Sequence, residues 1–546
     1  MKTHAVLVSL VLILAPAAWA AGEEEQEEDK KEEENKKKDL LKGEEGTAEG
    51  AAEGKAAGKG EETGAAEEGG GAAGEGAAAD DAAAREADMF GGGEAAAPAP
   101  VPMEPVAPGG SGAGSGAASG DRRLDEPTLS DGLISGLLAK ADDPLTVGGQ
   151  LSLRLQYTWA DEHARNENVL SSPSLLHLFL DARPNEHVRA YASGRLTYDF
   201  TLQDGRDAQG MPGEALGTLL DQLWLKADIG EVVYLTVGRQ PIRWGSGRFW
   251  NPTDFLNQQR RDPLAILDER VGPTLLKLHF PVESLGWNFY AVANLDGASS
   301  PEELGGALRG EFLFGPVELA ATAAYRKDQP VRLGLDASAG VWLLDLRLEA
   351  AVVYDDHTPY WKGDFVWDPP ALPYALSRDD RWIPQVTAGA ELSFKYSDED
   401  SLILGVEYFF NDAGYPDEGL YDWLLLQAFE GEGGFTPFYL GRHYLAGYAV
   451  LMGPGSWNDT TVLLSGIGNL NDLTGILRLD WQVRVLTYLD VAVFGAVRLG
   501  GDGEFHYGTE YKMEDPPNPL VPEPLRYGFS IGAPRLEVGV WLTLAL

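Results

Sequence analysis

The sequence predicts an all-β protein: a transmembrane, antiparallel, up-and-down β-barrel of about eighteen strands, occupying residues 146–546. Three observations lead there. From Val147 onward apolar and polar residues alternate with period two, in segments of about ten residues. The polar face of these segments is rich in charge, which is unusual for the interior of a soluble sandwich. The connections between segments alternate short and long, as barrels with tight turns at one end and loops at the other require.

The first strand illustrates the pattern. Leu151, Leu153, Leu155, Tyr157 and Trp159 fall on one face, with Gln150, Ser152, Arg154, Gln156 and Thr158 on the other. Further on, Leu477, Leu479, Trp481, Val483 and Val485 oppose Arg478, Asp480, Gln482 and Arg484. Ten residues is the length a tilted strand needs to cross hydrocarbon, where only helices and closed barrels can pair every backbone group. Aromatics near strand ends (Tyr157, Trp159, Tyr198, Trp287, Tyr354, Tyr396, Trp541) suit the two interfacial girdles. Strands are expected near 149–159, 174–183, 188–200, 219–228, 232–239, 273–280, 287–295, 306–314 and 317–326. The second half adds 331–341, 344–355, 385–396, 401–411, 441–452, 460–468, 474–485, 489–499 and 526–546. The segments 326–345 and 526–546 also permit a count of sixteen. Long connections fall at 201–218, 240–272, 356–384, 412–440 and 500–525, and both chain termini of the barrel are then expected to face the periplasm.

The residues ahead of the barrel are of another kind. Lys2, the apolar run Ala5–Leu14 and Ala18-Trp19-Ala20 read as a signal peptide over residues 1–20. Residues 21–128 form an acidic Ala/Gly/Glu/Pro-rich tail expected to be disordered and periplasmic, because it has too little apolar surface to offset chain entropy. Of its residues, 21–120 carry 25 acidic and 9 basic side chains out of a formal charge of −42 for the whole chain. Either the tail is a spacer for a periplasmic partner or its composition has no such role. Leu129, Leu133, Ile134, Leu137 and Leu138 recur at helical spacing, so 129–145 reads as a short amphipathic helix or a linker.

The charge excludes nucleic-acid binding, which needs a basic surface. The chain lacks cysteine, so thiolate chemistry is excluded too. No histidines sit at metal-ligand spacing, and neither a metal nor a cofactor is expected. The match Gly528–Gly532 to Gly-x-Ser-x-Gly runs into a strand where a nucleophile elbow needs a helix. No catalytic residues and no enzyme activity are expected. Acidic loop runs (Asp355-Asp356, Asp398–Asp400, Asp417-Glu418, Glu430 with Glu432) are candidates for divalent cations bridging lipopolysaccharide, or are solvated loop charge.

The most distinctive segment is Gly238-Arg-Gln-Pro-Ile-Arg-Trp-Gly-Ser-Gly-Arg-Phe-Trp-Asn-Pro-Thr-Asp-Phe255, after the fifth strand. It gathers Arg239, Arg243, Arg248, Arg260 and Arg261 in and beside one loop, with Asp254 and Asp262 as candidate partners. Guanidinium forks suit carboxylate, phosphate or sulfate, or else hold the loop by ion pairs. Trp244 and Trp250 either stack on sugar rings or pin the loop to the wall. On the strands, Arg154, Arg189, Arg195, Lys226, Arg478 and Arg484 are expected to face the lumen.

At this motif the sequence resembles a family of Gram-negative porin-like outer-membrane barrels whose third loop carries a GRQ…WG…R.WNP.D pattern. The architecture is also that of eighteen-stranded substrate-specific porins and alginate-type export barrels. The resemblance implies an inward-folded third loop acting as constriction. The expectation is a channel in the outer membrane for hydrophilic, anionic solutes. The alternatives are export of a surface polysaccharide and a non-channel scaffold or adhesin. The alternation Leu536, Val538, Val540, Leu542, Leu544, Leu546 resembles the terminal β-signal read by the outer-membrane assembly machinery, though it ends in Leu rather than Phe. Partners expected are outer-membrane lipid and lipopolysaccharide and that machinery.

Overall fold

The computed structural model describes residues 145–546, apart from 163–167, 186, 204, 208–212, 231, 258, 266–268, 367–370, 398–399, 417, 431–433, 456, 513–525 and 527. The signal peptide and the tail lie outside the described residues. So does the helix or linker at 129–145, save Leu145, which opens the first strand.

The barrel has eighteen strands. They begin with β1 (Leu145–Glu162), β2 (Asn168–Ser171 and Ser174–Asn185), β3 (Val188–Tyr198), β4 (Leu216–Ile229), β5 (Val233–Arg239) and β6 (Thr274–Val282). Next come β7 (Trp287–Asn294), β8 (Gly305–Phe314), β9 (Val317–Tyr325), β10 (Val331–Val341), β11 (Leu344–Lys362) and β12 (Tyr374–Lys395). The ring ends with β13 (Ser401–Asn411), β14 (His443–Met452), β15 (Thr460–Asn469), β16 (Thr474–Leu486), β17 (Leu489–Leu499) and β18 (Ala533–Ala545). Each pairs antiparallel with its neighbours in sequence, and β18 pairs with both β17 and β1, so the sheet closes. β2 is split at Ser172-Pro173, where proline has no N–H for the ladder. Ser172 Oγ there donates to the Arg154 carbonyl at 2.7 Å.

Sequence alternation becomes two faces. Leu153, Leu155, Leu479, Val540 and Leu542 point outward and stay exposed, forming the apolar belt that faces lipid. Between them Ser152, Thr236, Glu311, Glu349, Glu407 and Asp480 point inward and are buried. The turns that follow even-numbered strands are short. Asp400 belongs to that end and Asp355-Asp356 to the opposite one.

Two boundaries and one side chain differ from expectation. Residues 356–384 are mostly strand rather than loop, because β11 and β12 stay paired as far as Lys362↔Tyr374. Asp355 and Asp380 take positive φ (62° and 58°), which aspartate tolerates, and Arg378 donates to Asp356 across the extension at 2.9 Å. Phe529–Ile531 leaves the wall to pair with Thr509–Tyr511, and β18 begins only at Ala533, where Pro534 and a register shift at Ala160 interrupt pairing with β1. Trp541 is not in a girdle: it faces the lumen, with the Arg154 guanidinium 4.7 Å from its ring centre.

A charge on the outward face of β16 should meet hydrocarbon. Leu479→Arg is expected to lower unfolding free energy in lipid vesicles by about 2–4 kcal/mol. Gln482→Arg, on the lumen face of the same strand, should stay within about 0.5 kcal/mol. Denaturant titration of the refolded barrel measures both.

Candidate functional site

The third outer loop, residues 240–273, runs through the lumen and touches wall on several sides. Near its start Ile242 and Trp244 pack with Leu256 against Leu275 (β6), Tyr290 and Val292 (β7) and Ala307 (β8). Six residues later Phe249 and Trp250 pack against Phe409 (β13), Tyr444 and Ala446 (β14), Ile467 (β15), Ile476 (β16) and Ala496 (β17). Trp250 stacks on Phe409 at 5.3 Å between ring centres, and its indole N–H donates to the Phe438 carbonyl at 3.0 Å. Both tryptophans are fully buried, so they pin the loop and present no ring to a sugar.

Two lumenal carboxylates hold the chain between these anchors. Glu407 accepts three consecutive backbone N–H groups: Arg248 at 2.6 Å, Phe249 at 3.0 Å and Trp250 at 2.8 Å. Glu349 accepts from Gly247 N at 2.5 Å, Asn251 Nδ2 at 3.1 Å and Thr253 Oγ1 at 2.9 Å. Charge-assisted bonds of this kind are about twice as strong as neutral ones. The glycines make the approach possible. Gly245 has φ 102°, and a Cβ there would lie 2.5 Å from the Glu349 oxygens; at Gly247 it would lie 2.1 Å from the Trp250 carbonyl.

The sequence-predicted residues sort into distinct roles. Arg248 Nε donates to Glu391 (β12) at 3.2 Å, and Arg243 donates to the Gly247 carbonyl at 3.1 Å. Arg261 donates to the Arg248 carbonyl at 2.7 Å. Arg260 lies over Tyr439, 5.4 Å from its ring centre, and the surrounding burial pushes the Tyr439 hydroxyl up to about 12 despite the nearby guanidiniums. Asp254 pairs with Arg270 at 3.0 Å rather than with any of the five arginines singled out, and burial pushes its carboxyl up. Asp262 caps Leu264 N at 2.8 Å. Arg239 is the exception. It ends β5 opposite outward-facing Leu223, on the outward side of the wall, bonded to the Leu220 carbonyl at 3.0 Å, and takes no part in the lumenal loop.

The strand arginines are largely paired. Arg154 donates to Glu269 at 2.5 Å and Arg195 to Asp221 and the Glu269 carbonyl, so Glu269 ties the far end of the loop to β1 and β3. Arg189 pairs with Asp181, Arg478 with Asp480, and Arg484 with Asp490. Lys226 sits over Tyr234 at 5.2 Å. Sequence reasoning missed Glu269, Arg270, Asn251, Thr253 and Asn257. The signal that existed was apolar residues (Phe409, Ile467, Ile476) interrupting an otherwise polar lumen face. Asp355, His357 and Asp379 also come within 4.8 Å of one another, which spacing alone did not reveal. They are largely exposed, and the two imidazole nitrogens already face the two carboxylates at 3.0 and 3.8 Å.

The other outer loops form their own small core. Helix α1 (Tyr421–Glu430) buries Trp423, Leu425 and Leu426 with Tyr511 and Phe529. Beneath it Glu504 accepts from Tyr444 Oη at 2.6 Å and Asn469 Nδ2 at 2.8 Å. Full burial, with Asp472 nearby, pushes Glu504 up to about 7.

No family model matches the chain, and no curated protein matches it. Solved structures do. Acinetobacter baumannii OccAB1 is 11% identical over 75% of this chain and 98% of that one, with a TM-score of 0.44. Pseudomonas aeruginosa OpdK with vanillate is 11% identical over 73% and 98%, with a TM-score of 0.40. Salmonella typhi OmpF in complex with daunomycin is 11% identical over 74% and 97%, with a TM-score of 0.35. The likeness is one of barrel plan. The closed eighteen-strand ring, with its apolar outer belt and charged interior, has the plan of a transmembrane β-barrel.

Glu407→Gln replaces one acceptor oxygen with a donor facing backbone N–H groups. A lost partner in a buried site costs about 1–3 kcal/mol, and amide exchange at Arg248–Trp250 should quicken while strand amides are unchanged. Glu504 gives a pH prediction. Its folded-state value exceeds the ordinary glutamate range, so the closed form holds a proton that the open form releases. Between that range and about 7 the outer-loop corner is therefore expected to loosen as pH rises, by at most about 1.4 kcal/mol per unit. Intrinsically corrected exchange near Leu440 and Glu504 should be slower at pH 5 than at pH 8, and Glu504→Gln should abolish the difference.

Proposed function

We propose that this protein is an outer-membrane channel for small hydrophilic solutes, with the third loop as its constriction and with a preference for anions near that loop. The observation that carries the reading is the loop itself. It leaves the wall after β5, crosses to the inner faces of β13–β17, and returns past β1 and β3 through Glu269. A segment held at both walls of a polar lumen narrows the space a solute has to cross. Charged side chains in such a constriction set ion selectivity. The strand charges on the inner face are mostly paired within the wall, and this hydrates the lumen without giving it a single sign. Selectivity is then left to the loop.

The alternatives gain less from the geometry. Sugar stacking by Trp244 and Trp250 would support polysaccharide export, and both are buried. Planar-bilayer conductance tests the channel reading. Wild-type protein should give discrete steps with a reversal potential displaced toward anions. Arg248→Ala, which also leaves Glu391 with one fewer cation, should move that potential toward cations, and Arg243→Ala should do so to a smaller extent. A silent bilayer would sink the channel, and unchanged selectivity in both variants would sink the loop's part in it. Gly245→Ala supplies an independent measure: a loop driven off Glu349 should widen the pore and raise the step size.

A further inference from the structure

The outer side of the third loop encloses a space that the docking contacts do not use. Pro252, Asp254–Asn257 and Arg260 lie over the outer ends of β9–β11, leaving a cavity of about 510 Å³. Arg260 from the loop, Arg326 from the turn after β9, and Arg332 near the start of β10 all line it. Arg332 falls at the lumen-facing register of β10, opposite in parity to outward Leu333, and Arg326 directly follows outward Tyr325 at the end of β9. The cavity therefore opens to solute rather than to lipid.

Its charge is unbalanced. Asp254 on one wall is engaged by Arg270 at 3.0 Å and by Asn257 at 2.8 Å. Asp356 on the other is engaged by Arg378 at 2.9 Å and by Thr358 N at 3.1 Å, while it attracts Arg332 only at longer range. Asp328 stands exposed at the rim. Arg260, Arg326 and Arg332 form no ion pair among the described residues. Arg332 spends one N–H on the Phe255 carbonyl at 3.1 Å, Arg260 lies against Tyr439, and Arg260 and Arg332 repel each other. In a chain with formal charge −42, three guanidiniums share one cavity while its two enclosed carboxylates are held by other arginines. Forked donors so arranged match oxyanions, and more than one fork calls for more than one oxyanion group.

We propose that this cavity binds a small organic or phosphorylated anion carrying at least two carboxylate or phosphate groups, at the outer mouth of the barrel. Its role as a capture site ahead of the constriction rests on the channel reading; the binding does not. Citrate and pyrophosphate serve as probes of the two oxyanion chemistries, with acetate as the single-charge comparison, at fixed ionic strength. Calorimetric titration of the full chain in detergent micelles should give a saturable one-site isotherm with citrate, pyrophosphate or both, and much weaker binding of acetate. Arg326→Gln with Arg332→Gln should weaken the binding at least about tenfold, as loss of charge-assisted bonds implies. Arg332→Lys, keeping charge without the fork, should fall between. Arg183→Gln, whose guanidinium lies at the opposite end beside Asp181, should bind as wild type does. Heat-shifted gel migration verifies that each variant is a folded barrel.

Absence of a saturable isotherm with either probe, acetate binding as tightly as citrate, or a folded double variant that binds undiminished would each overturn the site. The same anions added to the outer side in bilayers separate the two readings. Binding without any conductance leaves the site and removes the channel; conductance without binding does the reverse.

Discussion

The structure depends on one constraint, that no backbone N–H or C=O can be left unpaired in hydrocarbon. An open sheet of eighteen strands has two edges, and in lipid each edge group would cost several kcal/mol. β18 removes both edges at once. It pairs with β17 on one side and, from Gln150↔Ala545 to Trp159↔Leu536, with β1 on the other. The closing bonds run to the last residue: Leu546 N donates to the Gly149 carbonyl at 2.8 Å. Closure in turn forces every second side chain into a lumen, and so decides where the polar residues have to go.

A lumen filled by period-two side chains would carry charge of both signs at every level. Most of it is neutralised laterally. Arg309 is the densest case, bonded to Glu311 at 2.7 Å, Asp336 at 2.8 Å and Thr322 at 2.9 Å. Buried charges are tolerable only when paired and hydrogen-bonded, so such clusters are wall structure rather than selectivity elements. Glu407 and Glu349 are different because their partners are backbone N–H groups of a loop. A carboxylate that accepts three successive amides fixes chain direction as well as position. It does so without a basic side chain, so loop arginines remain available for other contacts.

The strand count, the face assignment and the alternation of short and long connections were legible in the sequence, since each follows from local periodicity. The β11–β12 extension was not: Asp355, Pro359 and the charged run 379–381 carry turn composition, and only the pairing of their neighbours, Tyr354↔Trp382, Asp356↔Arg378 and Tyr360↔Leu376, holds the segment as strand. Trp541 shows the same limit on one side chain. Its parity put it inside, but aromatic identity near a chain end suggested a girdle. The site was legible as a segment and illegible as contacts. Nothing local in Glu349, Glu407 or Glu269 distinguishes them from Asp345 or Asp480, because what sets them apart is a loop arriving from far away in sequence.

The placement of the apolar seats explains why the loop settles where it does. Phe409, Ala446, Ile467, Ile476 and Ala496 occupy lumen-facing positions on five successive strands, where water would otherwise contact apolar surface. A second such patch, Leu275, Tyr290, Val292 and Ala307, lies on β6–β8. Each is covered by one tryptophan of the loop, Trp250 and Trp244, six residues apart. The hydrophobic effect supplies most of the attraction but no direction. Direction comes from Glu349 and Glu407, whose oxygens bond the chain from Gly247 to Thr253, around the second ring. Burial without the carboxylates would allow the loop to slide along either patch. The carboxylates alone would have to hold a solvated loop by bonds that water also offers. Together they hold one conformation, and the arginines that loop presents keep a fixed place in the lumen.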